Sequence, residues 1–172
     1  MQIIFTKLGY GIASCHAVEN AVFELCSVLK AMADLSQKKK LNGNMPLDES
    51  ELDPILAKVR NKYKKLTHEK RIDELHQLAP TLITEDDKNL LHSARKIRNK
   101  LSHNYVVENT FLLFTLEKQN QLIAEIDSYR AELSQAFALV SARHEEIAKK
   151  LGVNIDSIWD EFLIEAFSDS AA

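Results

Sequence analysis

Glycine and proline are scarce in this chain, with four and three copies among 172 residues. An all-β protein needs many tight turns, and such turns are built largely from these two residues, so the scarcity argues against that class. Leucine, alanine, lysine, glutamate and isoleucine are abundant instead, a composition that favours helix. The sequence therefore predicts an all-α protein, an up-and-down helical bundle of four to five main helices.

Cysteine is also rare, and Cys15 and Cys26 form no CxxC pair. They are separated by about three turns of one helix, too far to bridge within it. We expect two buried free thiols, in keeping with a reducing cytoplasm. Cys15, His16 and Cys26 are not expected to bind a metal, because ligands three turns apart on one helix cannot close a tetrahedral site. We also expect no cofactor.

Long apolar runs are missing as well. The N-terminus lacks the basic region and the continuous apolar region of a signal peptide. Charged residues interrupt the most apolar stretch, which is too short to span a bilayer: Glu19, Glu24, Lys30 and Asp34. We therefore expect a cytoplasmic protein that does not enter a membrane.

Apolar residues at steps of three and four predict a first helix over residues 13–38. Gly9 and Gly11 argue against helix before this point, because glycine is a poor helix former. A glycine- and proline-containing loop follows, and a second helix is expected to begin at Asp48 or Ser50, either of which can cap its free amides.

A short helix is predicted over residues 69–78, and another beginning at Thr84. Asp87 lies three residues after Thr84, the spacing of a capping box. Three histidines in this part of the chain share no helical spacing, and we expect them at the surface: His68, His76 and His92.

Residues 112–151 show apolar positions that alternate steps of three and four, a heptad pattern typical of one long helix. Gly152 is expected to end it, and a short acidic helix and tail would follow over 152–172. We interpret residues 1–172 as one helical domain whose core spans about 13–150. The expected seam is Leu112, Leu116, Gln119, Ile123, Ile126, Arg130, Leu133, Phe137, Val140, His144, Ile147 and Leu151.

Charge is segregated although the net charge is only −3. Residues 58–71 and 95–100 are rich in lysine and arginine, whereas the chain after Lys150 is acidic. The basic segments would form one electropositive surface if their helices pack side by side, and solvated helix faces are the alternative. The residues that would contact nucleic acid there, and RNA if the resemblance described below holds, are Lys62, Lys64, Lys65, Arg95, Lys96 and Lys100.

The chemistry-bearing stretch runs from Arg98 to Tyr105, where an amphipathic helix is expected to end. A guanidinium can pair with phosphate oxygens through two hydrogen bonds, and the imidazole of His103 can transfer a proton near neutral pH without a metal. Arg98 and Ser102 would share one helix face, and Asn99 and His103 an adjacent one. The alternative is that Arg98 and His103 simply cap the end of the helix.

This stretch resembles the Arg-x(4–6)-His motif of the HEPN domain family. Its Arg98-x4-His103-x-Tyr105 form, with the polar Asn99 after the arginine, is similar to that of toxins encoded beside a minimal nucleotidyltransferase antitoxin. As architecture the resemblance covers roughly residues 13–150, but as sequence only eight residues carry it.

The resemblance implies a bundle of four or five helices and metal-independent endoribonuclease activity in a toxin–antitoxin or defence system. Arg98, His103 and Asn99 would be catalytic. Ser102 and Tyr105 would have a supporting role, and Tyr105 would accept AMP from the antitoxin. The resemblance further implies a homodimer in which two motifs face each other, with RNA and a nucleotidyltransferase-type antitoxin as partners.

Two other functions remain open from the sequence. The first is a non-catalytic HEPN-like helical module that binds a nucleotide or a partner protein through the same face. The second is a coiled-coil adaptor built on the seam of residues 112–151.

Overall fold

A computed structural model describes residues 2–41, 49–103, 105–109, 113 and 115–151. These residues form helices and short connections without a strand, which confirms the all-α prediction. The helices are α1 (Gln2–Leu41), α2 (Glu49–Tyr63), α3 (His68–Leu78), α4 (Glu85–His103), α5 (Tyr105–Asn109) and α6 (Leu116–Leu151).

The first helix begins at Gln2, so the expectation that helix starts near residue 13 was wrong. Ile4 and Leu8 are buried and extend the apolar stripe of α1 toward the N-terminus, which outweighs the weak helix propensity of two glycines. Gly11 also has a packing role, because a Cβ placed on it would lie 3.1 Å from Leu101 Cδ1 on α4. A Cβ on Gly9 would meet nothing within 4 Å.

The two long helices, α1 and α6, run parallel to each other. Lys7 Nζ lies 2.6 Å from Asp127 Oδ1, and three residues further along both helices the Arg130 guanidinium covers the Tyr10 ring at 5.6 Å. Helix α4 runs antiparallel to α6, since Lys100 pairs with Glu125 near one end and Asp87 with Arg143 near the other. Helix α4 is therefore held on both long helices, with its C-terminal end near the start of α6.

The core of the bundle is centred on α1, which contacts α2, α3, α4 and α6. Much of the predicted heptad pattern on α6 is confirmed, because every seventh residue is buried at Ile126, Leu133, Val140 and Ile147. Leu116, also predicted in this seam, is exposed. Leu116 is the first residue of α6, and Leu122, about two turns later, is the first residue of this helix to be buried.

The predicted capping box of α4 is confirmed. The amide of Asp87 donates to Thr84 Oγ1 at 3.2 Å, and the amide of Thr84 donates to Asp87 Oδ2 at 2.9 Å. Helix α3 begins one residue earlier than predicted, with Thr67 as its cap. The predicted features at Asp48, Leu112, Gly152 and 152–172 lie outside the described residues.

One helix among the described residues is long and apolar enough to cross a membrane by length and composition alone, over Gln2–Lys38. Core helices of soluble proteins and signal sequences near an N-terminus meet the same two criteria, and α1 packs against four other helices of the bundle.

Candidate functional site

The Arg–His motif lies at the C-terminal end of α4. His103 is the last residue of this helix, and its side chain is exposed, as are those of Asn99 and Ser102. No hydrogen bond or ion pair joins the His103 imidazole to another of the described residues. The imidazole is therefore accessible to a ligand or to a second chain.

Arg98 is anchored to α1. Its Nε lies 3.2 Å from Oε1 of Glu19, and the Glu19 side chain is only 16% exposed. Its second contact is local, because Nη1 donates a hydrogen bond to Oδ1 of Asn99 at 3.1 Å. The guanidinium is therefore held at the α1/α4 interface, and Asn99 is placed to orient it.

Tyr105 points away from solvent. Its side chain is buried, and its hydroxyl donates a hydrogen bond to Glu125 Oε2 at 3.0 Å, with the carbonyl oxygen of Leu122 at 3.4 Å. Burial, and then the hydrogen bond to Glu125, raise the pKa of Tyr105 above its ordinary value. The hydroxyl thus contacts α6, and within the described part of the chain no hydrogen bond connects it with His103.

Lys100, a candidate RNA contact, belongs to the same network. Its Nζ donates to Glu125 Oε1 at 2.7 Å and to the Tyr129 hydroxyl at 2.6 Å. The hydrogen bonds to Glu125 and Tyr129 raise the pKa of Lys100. Lys100 therefore fixes α4 on α6, which limits its availability to a phosphate.

Part of the first basic segment lies beside the second, because α3 runs antiparallel along α4, whereas α2, which carries Lys62, packs on α1. Asp73 pairs with His92, and Glu69 with Arg95 at 3.4 Å. This register brings the start of α3 and the turn before it toward the second half of α4. The remaining candidate RNA-binding residues are exposed: Lys62, Lys64, Lys65 and Lys96.

His68 is a residue that sequence reasoning missed. It is half-buried, not at the surface, and its Nδ1 is buried without a hydrogen-bond partner among the described residues. Burial lowers the pKa of His68 to about 4, and neighbouring cationic side chains act in the same direction: Arg71, Arg98, Arg95 and His92. A signal existed, since His68, Ile72 and Leu75 follow the steps of an apolar helix face.

The other two histidines expected at the surface are also half-buried. Nδ1 of His76 lies 2.8 Å from the carbonyl oxygen of Ile83, and Nε2 of His92 lies 3.2 Å from Asp73 Oδ1. Both therefore join α3 to α4 or to the turn between them, a role that no spacing within one helix reveals.

Both cysteines are buried and free, as predicted. Burial raises the pKa of Cys15 to about 11 and that of Cys26 to about 12. No group of three His, Cys, Asp or Glu side chains within the described ranges is arranged to hold a metal ion.

The class that these observations define is an all-α helical bundle with an exposed histidine and an anchored arginine at one helix end. No protein-family model, no curated protein and no solved structure matches the chain. Any assignment of function therefore rests on the residues and their geometry.

Proposed function

We propose that this protein is a HEPN-type, metal-independent endoribonuclease and acts as the toxin of a toxin–antitoxin or defence system. The observation that carries the proposal is the exposed imidazole of His103 at the end of α4, five residues after the anchored guanidinium of Arg98. This supplies one proton-transfer group and one permanent cation on a single rigid element.

Helix geometry supports a two-chain site. At 3.6 residues per turn, Arg98 and His103 project about 140° apart around α4 and about 7.5 Å apart along its axis. The pair therefore diverges within one chain, and two copies of α4 facing each other would bring the arginine of one chain toward the histidine of the other. A two-fold dimer also supplies the two proton-transfer groups that acid and base catalysis require.

The reaction would be transesterification of RNA. The ribose 2′-oxygen forms a bond to the adjacent phosphorus and loses its proton to the neutral His103 imidazole of one chain. The bond from phosphorus to the 5′-oxygen breaks, and the protonated His103 of the second chain donates a proton to that oxygen. Arg98 would stabilise the charge that grows on the non-bridging oxygens.

The exposed lysines of the basic segments supply the attraction that RNA requires. Lys64 and Lys65 lie in the turn before α3, and Lys96 lies on α4. Such side chains can neutralise phosphates without sequence preference, and salt weakens binding of this kind.

We also propose inhibition by a nucleotidyltransferase-type antitoxin, which requires the Tyr105 hydroxyl to become accessible. The Tyr105 hydroxyl that would accept AMP is buried against α6. Local opening of α5 from α6 would have to precede the modification, and the added phosphate would then oppose reclosure because of its charge and bulk.

Incubation of the purified protein with RNA in EDTA tests the activity. Cleavage should persist, and Arg98→Ala and His103→Ala should each lower the rate by at least about 100-fold, the usual scale for a lost charge-stabilising group and for a lost proton-transfer group. Lys149→Ala is the control, because Lys149 is an exposed cation in the last turn of α6, at the end of the bundle remote from His103. Equal cleavage by all three variants would refute the proposal, as would a strictly monomeric protein in sedimentation at micromolar concentration.

A non-catalytic module is the second candidate, and the Glu19–Arg98 pair favours it. A guanidinium already paired with a carboxylate suits an architectural role better than a catalytic one, because less of its charge is available to a phosphate. This candidate predicts an RNA, nucleotide or protein partner that binds at the same face with no cleavage in the assay above.

A further inference from the structure

A cluster of cationic and imidazole groups lies along the seam between α3 and α4. We define this α3/α4 cluster as His68, Arg71, Arg95 and Arg98. Arg95 and Arg98 are three residues apart and project from neighbouring positions on α4. His68 opens α3 beside Glu69, which contacts Arg95, so the start of α3 faces this part of α4.

Three nitrogens of the cluster are buried and have no hydrogen-bond partner among the described residues: His68 Nδ1, Arg95 Nε and Arg98 Nε. Arg98 Nε is close to Glu19, but its N–H is not directed at the carboxylate in hydrogen-bond geometry. Leaving a buried donor unsatisfied is costly. Two guanidinium N–H donors and one imidazole nitrogen without partners in one cluster indicate a site for a hydrogen-bonding ligand that the protein itself does not supply.

The charge of the cluster selects an anion. Arg71 donates through Nε to the Tyr63 carbonyl oxygen at 3.0 Å, so its charge is met by a neutral group. Arg95 and Arg98 each face one carboxylate, of Glu69 and Glu19. The Glu69 side chain is 54% exposed, so an incoming anion can displace it from Arg95 into solvent.

Phosphate fits this arrangement better than a carboxylate does. It presents several acceptor oxygens and pairs well with guanidinium groups. Neutral His68 can donate a hydrogen bond through whichever nitrogen carries its proton. The start of an eleven-residue helix at the same place adds a favourable dipole.

We propose that the α3/α4 cluster binds a phosphate group of an RNA strand, at a position next to the scissile phosphate and sharing Arg98 with it. The inference rests on the proposed function for the source of the phosphate. It goes beyond that function by assigning His68, Arg71 and Arg95 to a binding subsite separate from His103.

Binding is measured in a His103→Ala background, so that RNA remains intact. The probe is a short fluorescent single-stranded RNA, and anisotropy gives Kd at fixed salt. Arg95→Ala and His68→Phe should each weaken binding by roughly tenfold or more, the scale of a lost charge-assisted or buried hydrogen bond. His68→Phe keeps an apolar side chain on the buried face, which preserves folding.

Lys96→Ala is the matched control, since it removes one positive charge from the residue next to Arg95. Lys96 is exposed, and its loss should weaken binding only about two- to fivefold, as for one screened phosphate contact. Circular dichroism and thermal melting confirm that each variant is folded. If folded Arg95→Ala and His68→Phe lose no more affinity than Lys96→Ala, the subsite does not exist. An absence of RNA binding in the His103→Ala protein would also overturn the proposal.

A variant that should tighten RNA binding, where the variants above weaken it, gives a second test. Glu69→Gln removes the carboxylate that competes for Arg95 and should tighten RNA binding about two- to fivefold. Asp86→Asn removes an exposed carboxylate in the first turn of α4 and should change the affinity for RNA little. Equal effects of the two variants would indicate general electrostatics and contradict the subsite.

Free phosphate is distinguished from RNA by a thermal shift. Inorganic phosphate at the same ionic strength as a chloride control should raise the melting temperature of the parent protein and not that of Arg95→Ala. Stabilisation by phosphate without RNA binding would assign the site to a free anion and refute the RNA subsite. Cluster-dependent RNA binding without cleavage would refute the nuclease and leave the subsite standing.

Discussion

The Tyr105 hydroxyl and the Glu125 carboxylate are joined by a hydrogen bond of 3.0 Å, which fastens the short helix α5 to α6. The same carboxylate accepts hydrogen bonds from Lys100 and from Tyr129. The residue that we propose as the AMP acceptor is thus also the residue that holds α5 in place.

Nitration should reveal this burial. Tetranitromethane modifies accessible tyrosines, so Tyr10, which is 59% exposed, should react first in the folded protein. Tyr63 and Tyr105, both buried, should be protected until denaturant is added. Peptide mass spectrometry measures the three sites in one sample, with Tyr10 as the internal control. Nitration of Tyr105 as fast as that of Tyr10 would show that α5 is open in solution.

The Glu125 network should make stability depend on pH. Although burial raises the pKa of Glu125, hydrogen bonds from Lys100, Tyr129 and Tyr105 outweigh it and hold that pKa below its usual value. A carboxyl with a lowered folded-state pKa contributes stability above its unfolded pKa, and the contribution is lost as pH falls through the folded pKa.

Glu125→Gln should therefore lower the free energy of unfolding by about 1 kcal/mol at neutral pH, a value discounted for partial exposure. The difference from the parent protein should shrink as pH falls through the lowered folded-state pKa of Glu125, where the parent carboxyl becomes protonated too. Urea unfolding of both proteins at several pH values measures this difference in the free energy of unfolding. A difference that stays constant with pH would mean that the charge of Glu125 contributes nothing.

The two glycines of α1 should respond differently to alanine. Gly9→Ala should raise the free energy of unfolding by about 0.5–1 kcal/mol, because alanine is the better helix former and its Cβ meets open space. Gly11→Ala gains the same helix propensity, but its Cβ would lie 3.1 Å from Leu101 Cδ1. The Leu101 side chain must therefore shift to make room. We expect Gly11→Ala to be less stable than Gly9→Ala in the same denaturation experiment. Equal stabilisation of both variants would rule out a close approach of α1 and α4.

Glu19 should stabilise the bundle through Arg98. Glu19→Gln leaves the half-buried guanidinium without its carboxylate and should cost about 1–3 kcal/mol, between the values for exposed and for buried pairs. Glu145→Gln is the control, since Glu145 is an exposed glutamate on α6 and its change should stay within about 0.5 kcal/mol. Urea unfolding compares them. A loss no larger than that of the control would mean that the pair does not hold α4 on α1.

Local patterns in the sequence predicted the features that depend on neighbours along the chain. The capping box of Thr84 and Asp87 needs residues three apart, and the buried positions of α6 repeat every seven residues. Both rules act within one helix, which is why composition and spacing were sufficient to find them.

Contacts between distant segments could not be predicted in the same way. The partner of Tyr105 is Glu125, twenty residues away on another helix. Gly11 lets α4 pack closely beside α1, because it has no Cβ to meet Leu101. His68 joins arginines of α4 only through the register of α3 against α4. Each depends on how helices are placed in space, which periodicity within one helix does not encode.

The parallel packing of α1 and α6 has a consequence for the order of folding. Lys7 meets Asp127 across 120 positions of sequence, so the first helix cannot be covered by the last until most of the polypeptide has been synthesised. Contacts between such distant segments carry a large loop-closure cost and slow folding. Until α6 has been synthesised, α2, α3 and α4 can pack on α1 but its α6-facing side stays uncovered, and apolar surface exposed in this way during folding promotes aggregation.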